Sequence, residues 1–181
     1  TGIIIGSDSN TRNILIDSTL ALADTLILNT SGRVSESGAG AITSASLGIK
    51  RAASVTLSGI GNDIDVLAAE GVSGGFTYLD SNALEVGSVN PAGITATGPI
   101  LVETLTGNLT VSQNITTTDN SDSAIILNAG KTASAGTASG GNILISGNPT
   151  LSVGSGGRAT LYTGSVSGST GLTDLIGSGS G

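Results

Sequence analysis

The chain has 181 residues, enough for one domain that removes roughly two-thirds of its unfolded surface from water, and 38% of them are apolar, which excludes a chain too polar to build a core. Its formal charge is −7, from six Lys plus Arg against 13 Asp plus Glu; it offers no basic stripe for nucleic acid and repels phosphate backbones and anionic lipid. It contains no His, Cys, Met or Trp, which excludes disulfides, thiolate or imidazole metal sites and nucleophiles activated by histidine.

What it does contain is 29 Gly, 26 Ser and 23 Thr, with only two Tyr and one Phe. With so little aromatic mass, the interior must be narrow and filled by layers of aliphatic side chains. With only 10% of residues charged, hydroxyls, amides and backbone must carry solubility.

Taken in chain order, the segment Ile3–Ile5 is an apolar triplet, followed by the run "NILI" at 13–16. Alternating aliphatics then mark short strands at Val55 and Leu57, Ile64 and Val66, Phe76 and Tyr78, and Leu84 and Val86. The same alternation recurs at Leu109 and Val111, Ile125 and Leu127, Ile143 and Ile145, and Leu151 and Val153. Turn-forming clusters separate these runs: "SGIGND" at 58–63, "VSGG" at 72–75, "SGN" at 146–148 and "GSGG" at 154–157. The expected strands are three to six residues long. "DVLAAEG" at 65–71 comes nearest to a helix and is too short to hold as one. No apolar run approaches the roughly 20 residues of a membrane-spanning helix.

Many short strands suit a sandwich or a solenoid. A sandwich wants hairpin signals, and no Asn-Gly or Asp-Gly pair occurs. The solenoid is favoured by repetition: "GNILISGN" at 141–148 echoes "GNLTVSQN" at 107–114 and the "NILI" of 13–16. In a parallel β-helix, Gly-Asn makes a corner and the alternating aliphatics place every second side chain inside the coil. Gly-Asn at 61, 107 and 141 gives offsets of 46 and 34 residues, so loops of unequal size must interrupt the coil. "LILNTSG" at 26–32 and "IILNAG" at 125–130 suggest related blocks larger than one turn. The expectation is an all-β chain, one right-handed parallel β-helix over 1–181 with a flexible Gly/Ser tail at 177–181. Starting without Met and ending in "GSGSG", it reads as a piece of something longer.

The run from "LILNTSGRVSESGAGAITSASLGIK" at 26–50 through "ASVTLSGIGNDIDVLAAEGVSGGFTYLDSNALEVGSV" at 53–89 to "GNLTVSQNIT" at 107–116 resembles the β-strand repeats of filamentous-haemagglutinin-type bacterial surface proteins, exported by the two-partner route. The resemblance implies a right-handed β-helical shaft of a surface adhesin. It would lie outside the cell, hold no cofactor, perform no catalysis, and meet glycans or proteins of host or neighbouring cells. "NPAGI" at 90–94 departs at Ala92 from the Asn-Pro-Asn-Gly-Ile motif of that family's secretion domain and suits a plain proline turn.

Candidate chemistry is sparse. Asp63 and Asp65 alternate with Ile64 and Val66, which would set two carboxylates outward on one strand, as acid and base for a polysaccharide or as calcium ligands; a solvated outer face is the competing reading. Lys50 or Lys131 beside a serine would make a Ser-Lys pair. Phe76 and Tyr78 share a strand face and would stack on a sugar or fill the core. Thr-x-Thr at 95–97, 104–106 and 116–118 is spaced unevenly for a rank matching ice. Sequons begin at Asn29, Asn108 and Asn114. The apolar Gly2–Ile5 edge lacks charged or proline protection, so end-to-end self-association into a filament is a further expectation.

Overall fold

A computed structural model describes residues 2–137 and 139–175. Eighteen strands follow one another: β1 (Ile3–Gly6), β2 (Ile14–Ile16), β3 (Thr19–Ala21), β4 (Thr25–Asn29), β5 (Arg33–Glu36), β6 (Ala41–Lys50), β7 (Ser54–Leu57), β8 (Asp63–Val72) and β9 (Phe76–Asp80). They continue as β10 (Leu84–Val86), β11 (Ile94–Ala96), β12 (Ile100–Thr104), β13 (Leu109–Val111), β14 (Ile115–Thr117), β15 (Ile125–Asn128), β16 (Ile143–Ile145), β17 (Leu151–Ser152) and β18 (Ala159–Tyr162). The described helix is a single turn, α1 (Leu172–Leu175).

Every pairing between named strands is parallel, and each strand lies on the equivalent strand of the preceding rung. One seven-stranded sheet stacks β2, β5, β7, β9, β12, β15 and β18; the remaining strands form an eleven-stranded sheet that bends around the other sides. Stacking aligns like with like. In the seven-stranded sheet, Ile14, Val34, Val55, Phe76, Ile100, Ile125 and Ala159 are successive partners pointing inward. In the other sheet Ile3, Leu26, Leu47, Leu67, Val86, Val111 and Ile145 form a second such column. The core consists of these columns and others stacked in the same way, among them Leu57, Tyr78, Val102 and Leu127, nearly all aliphatic and mostly without solvent exposure. That matches the narrow interior expected from the composition.

Rung length is not constant. Stepping along the first column from Ile14 to Ala159, successive partners are 20, 21, 21, 24, 25 and 34 residues apart. In the short rungs the chain turns with almost no loop, and β6 and β8 each run ten residues through a bend. This exceeds the expected three to six, and "DVLAAEG" lies inside β8 as strand. Later rungs split the same path into two strands. Leu67 and Ala69, separated by one residue in β8, pair with Val86 and Ile94, between which residues 87–93 loop outward.

That outward loop contains "NPAGI", and it folds back over the sheet. Pro91 is buried. A Cβ on Gly48 would lie 2.5 Å from Ile27 Cδ1 and 3.2 Å from the Asn90 carbonyl, so glycine is what lets the loop lie flat there. Lys50 Nζ donates to Asn90 Oδ1 at 3.1 Å, pinning the loop tip. The segment is a covering turn on the outside of the coil, which is the plain reading of that motif.

The corners work as Gly-Asn predicts, with a specific mechanism. Asn108 Oδ1 accepts the Asn142 N–H at 3.0 Å and Asn142 Oδ1 accepts the Ser165 N–H at 3.2 Å. Asn62 Oδ1 accepts the Ile42 N–H at 2.8 Å. Each carboxamide satisfies an amide that the bend has taken out of the ladder. Asn13 does the same for Arg33 N–H at 2.9 Å, but on the other sheet. The echo at 13–16 therefore marks a corner and not an equivalent position. "LILN" at 26–29 and "IILN" at 125–128 likewise fall on different sheets, in β4 and β15, so that likeness reports strand grammar and not related blocks.

Candidate functional site

Ile64 is 1% exposed and Asp63 and Asp65 both face solvent, the arrangement expected from the alternation; Val66 sits at the bend and is only partly covered. Asp63 accepts a hydrogen bond from Asn82 Nδ2 at 2.8 Å. Among the described residues no group of three or more Asp and Glu side chains is arranged to hold a metal ion. Lys50 lies 3.4 Å from Glu70 and Lys131 2.8 Å from Glu103, so both lysine ammoniums pair with carboxylates.

Phe76 and Tyr78 are each 0% exposed. Neither ring presents a face to a sugar. Both point inward and belong to the hydrophobic core, which is the competing, core-filling reading. Of the sequon asparagines, Asn29 is 8% exposed and donates to Asp8 Oδ1 at 2.8 Å, so its nitrogen is engaged. Asn108 is partly covered and caps the next rung, whereas Asn114 is exposed while its Oδ1 accepts the Thr150 N–H at 2.9 Å. Thr95 lies directly beneath Thr116, so Thr-x-Thr at 95–97 and 116–118 occupies neighbouring rungs. Thr104 is buried at a corner and takes no part.

Two polar arrangements emerge that sequence reasoning missed. The first is buried. Asp80, 0% exposed, accepts from Tyr78 Oη at 3.0 Å and the Ile64 N–H at 3.1 Å through Oδ2, and from the Asn82 N–H at 3.0 Å through Oδ1. Nearby, Glu36 Oε2 accepts the Gly59 N–H at 2.7 Å and Asn62 Nδ2 at 3.3 Å, while its buried Oε1 has no hydrogen-bond partner among the described residues. Burial pushes the Asp80 carboxyl up to about 6, against the three hydrogen bonds that favour its charged form. It raises Glu36 as well, and holds the Tyr78 hydroxyl well above its usual value. No cation faces this corner through a hydrogen bond or ion pair among the described residues. It is a structural network that binds protons more readily than ordinary carboxylates do.

The second arrangement is open. A cleft of about 150 Å³ lies between the chain at 128–135 and residues 162–164. Tyr162, 54% exposed, forms one side, and Lys131 and Asn128 contribute polar groups. Glu103, in β12, ties these two together: its Oε1 accepts Asn128 Nδ2 at 3.0 Å and its Oε2 accepts Lys131 Nζ at 2.8 Å. Register explains the gathering, since Glu103 pairs with Asn128 and Asn128 with Tyr162 on successive rungs. Residue spacing alone hides it, because Asn128 and Tyr162 are separated by the longest rung.

The fold defines the class: the chain is a parallel β-solenoid. Compared with protein-family models, curated proteins and solved structures, it matches none.

Proposed function

We propose that the chain is a segment of the shaft of a filamentous-haemagglutinin-type bacterial surface adhesin, exported to the cell exterior, that projects and adheres without chemistry of its own. The observation that carries this reading is the unbroken parallel stack of rungs, with aliphatic columns inside and hydroxyls and amides outside. Such a coil lengthens by adding rungs and needs no other architecture to reach away from a surface. The acidic, lightly charged exterior keeps it off anionic membranes and nucleic acid. The repeat grammar of residues 26–116 supports the adhesin resemblance, and the partners it implies are glycans or proteins of host or neighbouring cells. The test is retention of protein-coated beads on epithelial or bacterial cell layers. Saturable retention above albumin-coated beads is expected; retention equal to albumin on every surface overturns the reading.

One observation favours a second reading, a subunit of a homopolymeric extracellular filament. Ile4 and Leu15, on the outward faces of β1 and β2, are 67% and 57% exposed. Exposed aliphatic side chains offer a second copy of the chain an apolar contact. This reading predicts fibres by electron microscopy that lengthen with protein concentration. A strictly monomeric species in light scattering contradicts it.

A further inference from the structure

Insertions in solenoids gather on the surface that does the binding, because a loop can vary without disturbing the stacked columns. In this chain the longest insertion, between β15 and β16, lies beside the cleft at Tyr162. We propose that this cleft is a saccharide subsite that takes a single uncharged pyranose ring; the proposal rests on the adhesive reading above and names its contact point.

Tyr162 is the one exposed aromatic ring among the three in the chain, the other two being fully buried. Its flat apolar body, open to the cleft, suits the carbon-bound hydrogens on one face of a pyranose. Opposite it stand groups that pair with hydroxyls. Lys131 has three donors, of which one reaches Glu103. Asn128 spends an N–H on Glu103 and retains its carboxamide oxygen as an acceptor. Because Glu103 is 8% exposed and grips both, donor and acceptor are held in place before a ligand arrives.

Size and charge narrow the ligand. The volume of about 150 Å³ falls below the roughly 300–1,000 Å³ of clefts for larger ligands, so one ring fits. An anionic sugar would have to compete with Glu103 for Lys131 and approach a chain of charge −7, which favours a neutral one.

The experiment titrates the intact chain with methyl glycosides of glucose, galactose, mannose and N-acetylglucosamine, and with a uronate, by saturation-transfer NMR and tyrosine fluorescence. The buried Tyr78 supplies a constant background. At least one uncharged glycoside should bind with a Kd of about 1 mM. Tyr162→Ala should weaken it about tenfold while Tyr162→Phe retains it, since stacking needs the ring and not the hydroxyl. Lys131→Ala should weaken it about threefold. Circular dichroism of each variant checks the fold. Absence of binding by every glycoside, binding unchanged in Tyr162→Ala, or preference for the uronate overturns the proposal. Bead adhesion that survives Tyr162→Ala also overturns it, yet leaves the adhesive reading standing.

Discussion

The first three rungs and the last three differ in how they spend their residues. From Ile14 to Phe76 a rung takes 20 or 21 residues and the chain bends within strands; from Phe76 to Ala159 it takes 24 to 34, and the excess becomes loops. The inward columns continue across both regions unaltered. The difference teaches that the core fixes what faces inward while leaving loop length free. The tight half is stacked strand with almost no loop, and the looped half carries the cleft.

The sharpest way to break this comparison is to cut the column that both halves share. Leu67, 0% exposed, partners Leu47 below and Val86 above, at the junction. Leu67→Ala should cost about 2–5 kcal/mol in denaturant titration, because neighbours held by sheet hydrogen bonds cannot collapse into the void. A loss below about 1 kcal/mol would mean that the columns are not close-packed.

The next effect comes from Asp80. Its carboxyl is near 3.8 when unfolded and about 6 in the fold, so the folded chain binds the proton more tightly. Stability is fully present below about pH 4, falls as pH rises through about 6, and is then lower by at most about 3 kcal/mol. The raised Glu36 acts in the same direction. Asp80→Asn should flatten Tm against pH across that window, and an unchanged slope would assign the dependence elsewhere.

Smaller again is Gly107, in the corner between β12 and β13, in the second rung of the looped half. Its φ is +77° and a Cβ would lie 2.7 Å from the Ala83 nitrogen. Gly107→Ala should cost about 1–2 kcal/mol in denaturant titration, from both the left-handed backbone and the close approach. The smallest is Asn114→Ala, which removes the acceptor for Thr150 N–H at an exposed corner and should cost about 1 kcal/mol. A change beyond about 2 kcal/mol would show that exposed corners bear more of the fold than the columns allow.

Much of this architecture was legible in the residues. The alternating aliphatics at Val55 and Leu57, Leu84 and Val86, or Leu109 and Val111 are strands in the structure, since a period of two has no other economical meaning when Gly and Asn bound it. Stacking was legible from repeated Gly-Asn corners and from the missing hairpin signals. β6 was hidden because "AITSASLGIK" bends partway and changes which residues face in, so no single period runs through it. The Thr-x-Thr pairing escaped for a related reason: neighbours in space are a rung apart, and rung length varies.

The candidate site was less legible. Phe76 and Tyr78 stand on one strand face as their spacing requires, but spacing does not say which face is inside; the columns do. Tyr162 gave no local signal, because its partners Asn128, Lys131 and Glu103 come from other rungs. Only the register brings them together. Asp80 reads as a turn residue before Ser81 and Asn82, and only the stacking of Tyr78 and Ile64 against it removes it from water.

The central claim is that successive rungs lie parallel and in register, and the absence of cysteine makes it directly testable. Thr56 and Thr77 are direct partners on the outer face of β7 and β9, about 5 Å apart at Cα in such a ladder and within disulfide reach. The double variant Thr56→Cys with Thr77→Cys should cross-link quantitatively under mild oxidation. Ser35→Cys with Thr77→Cys, two rungs apart, should not. Cross-linking of the second pair in preference to the first would contradict the stacked coil.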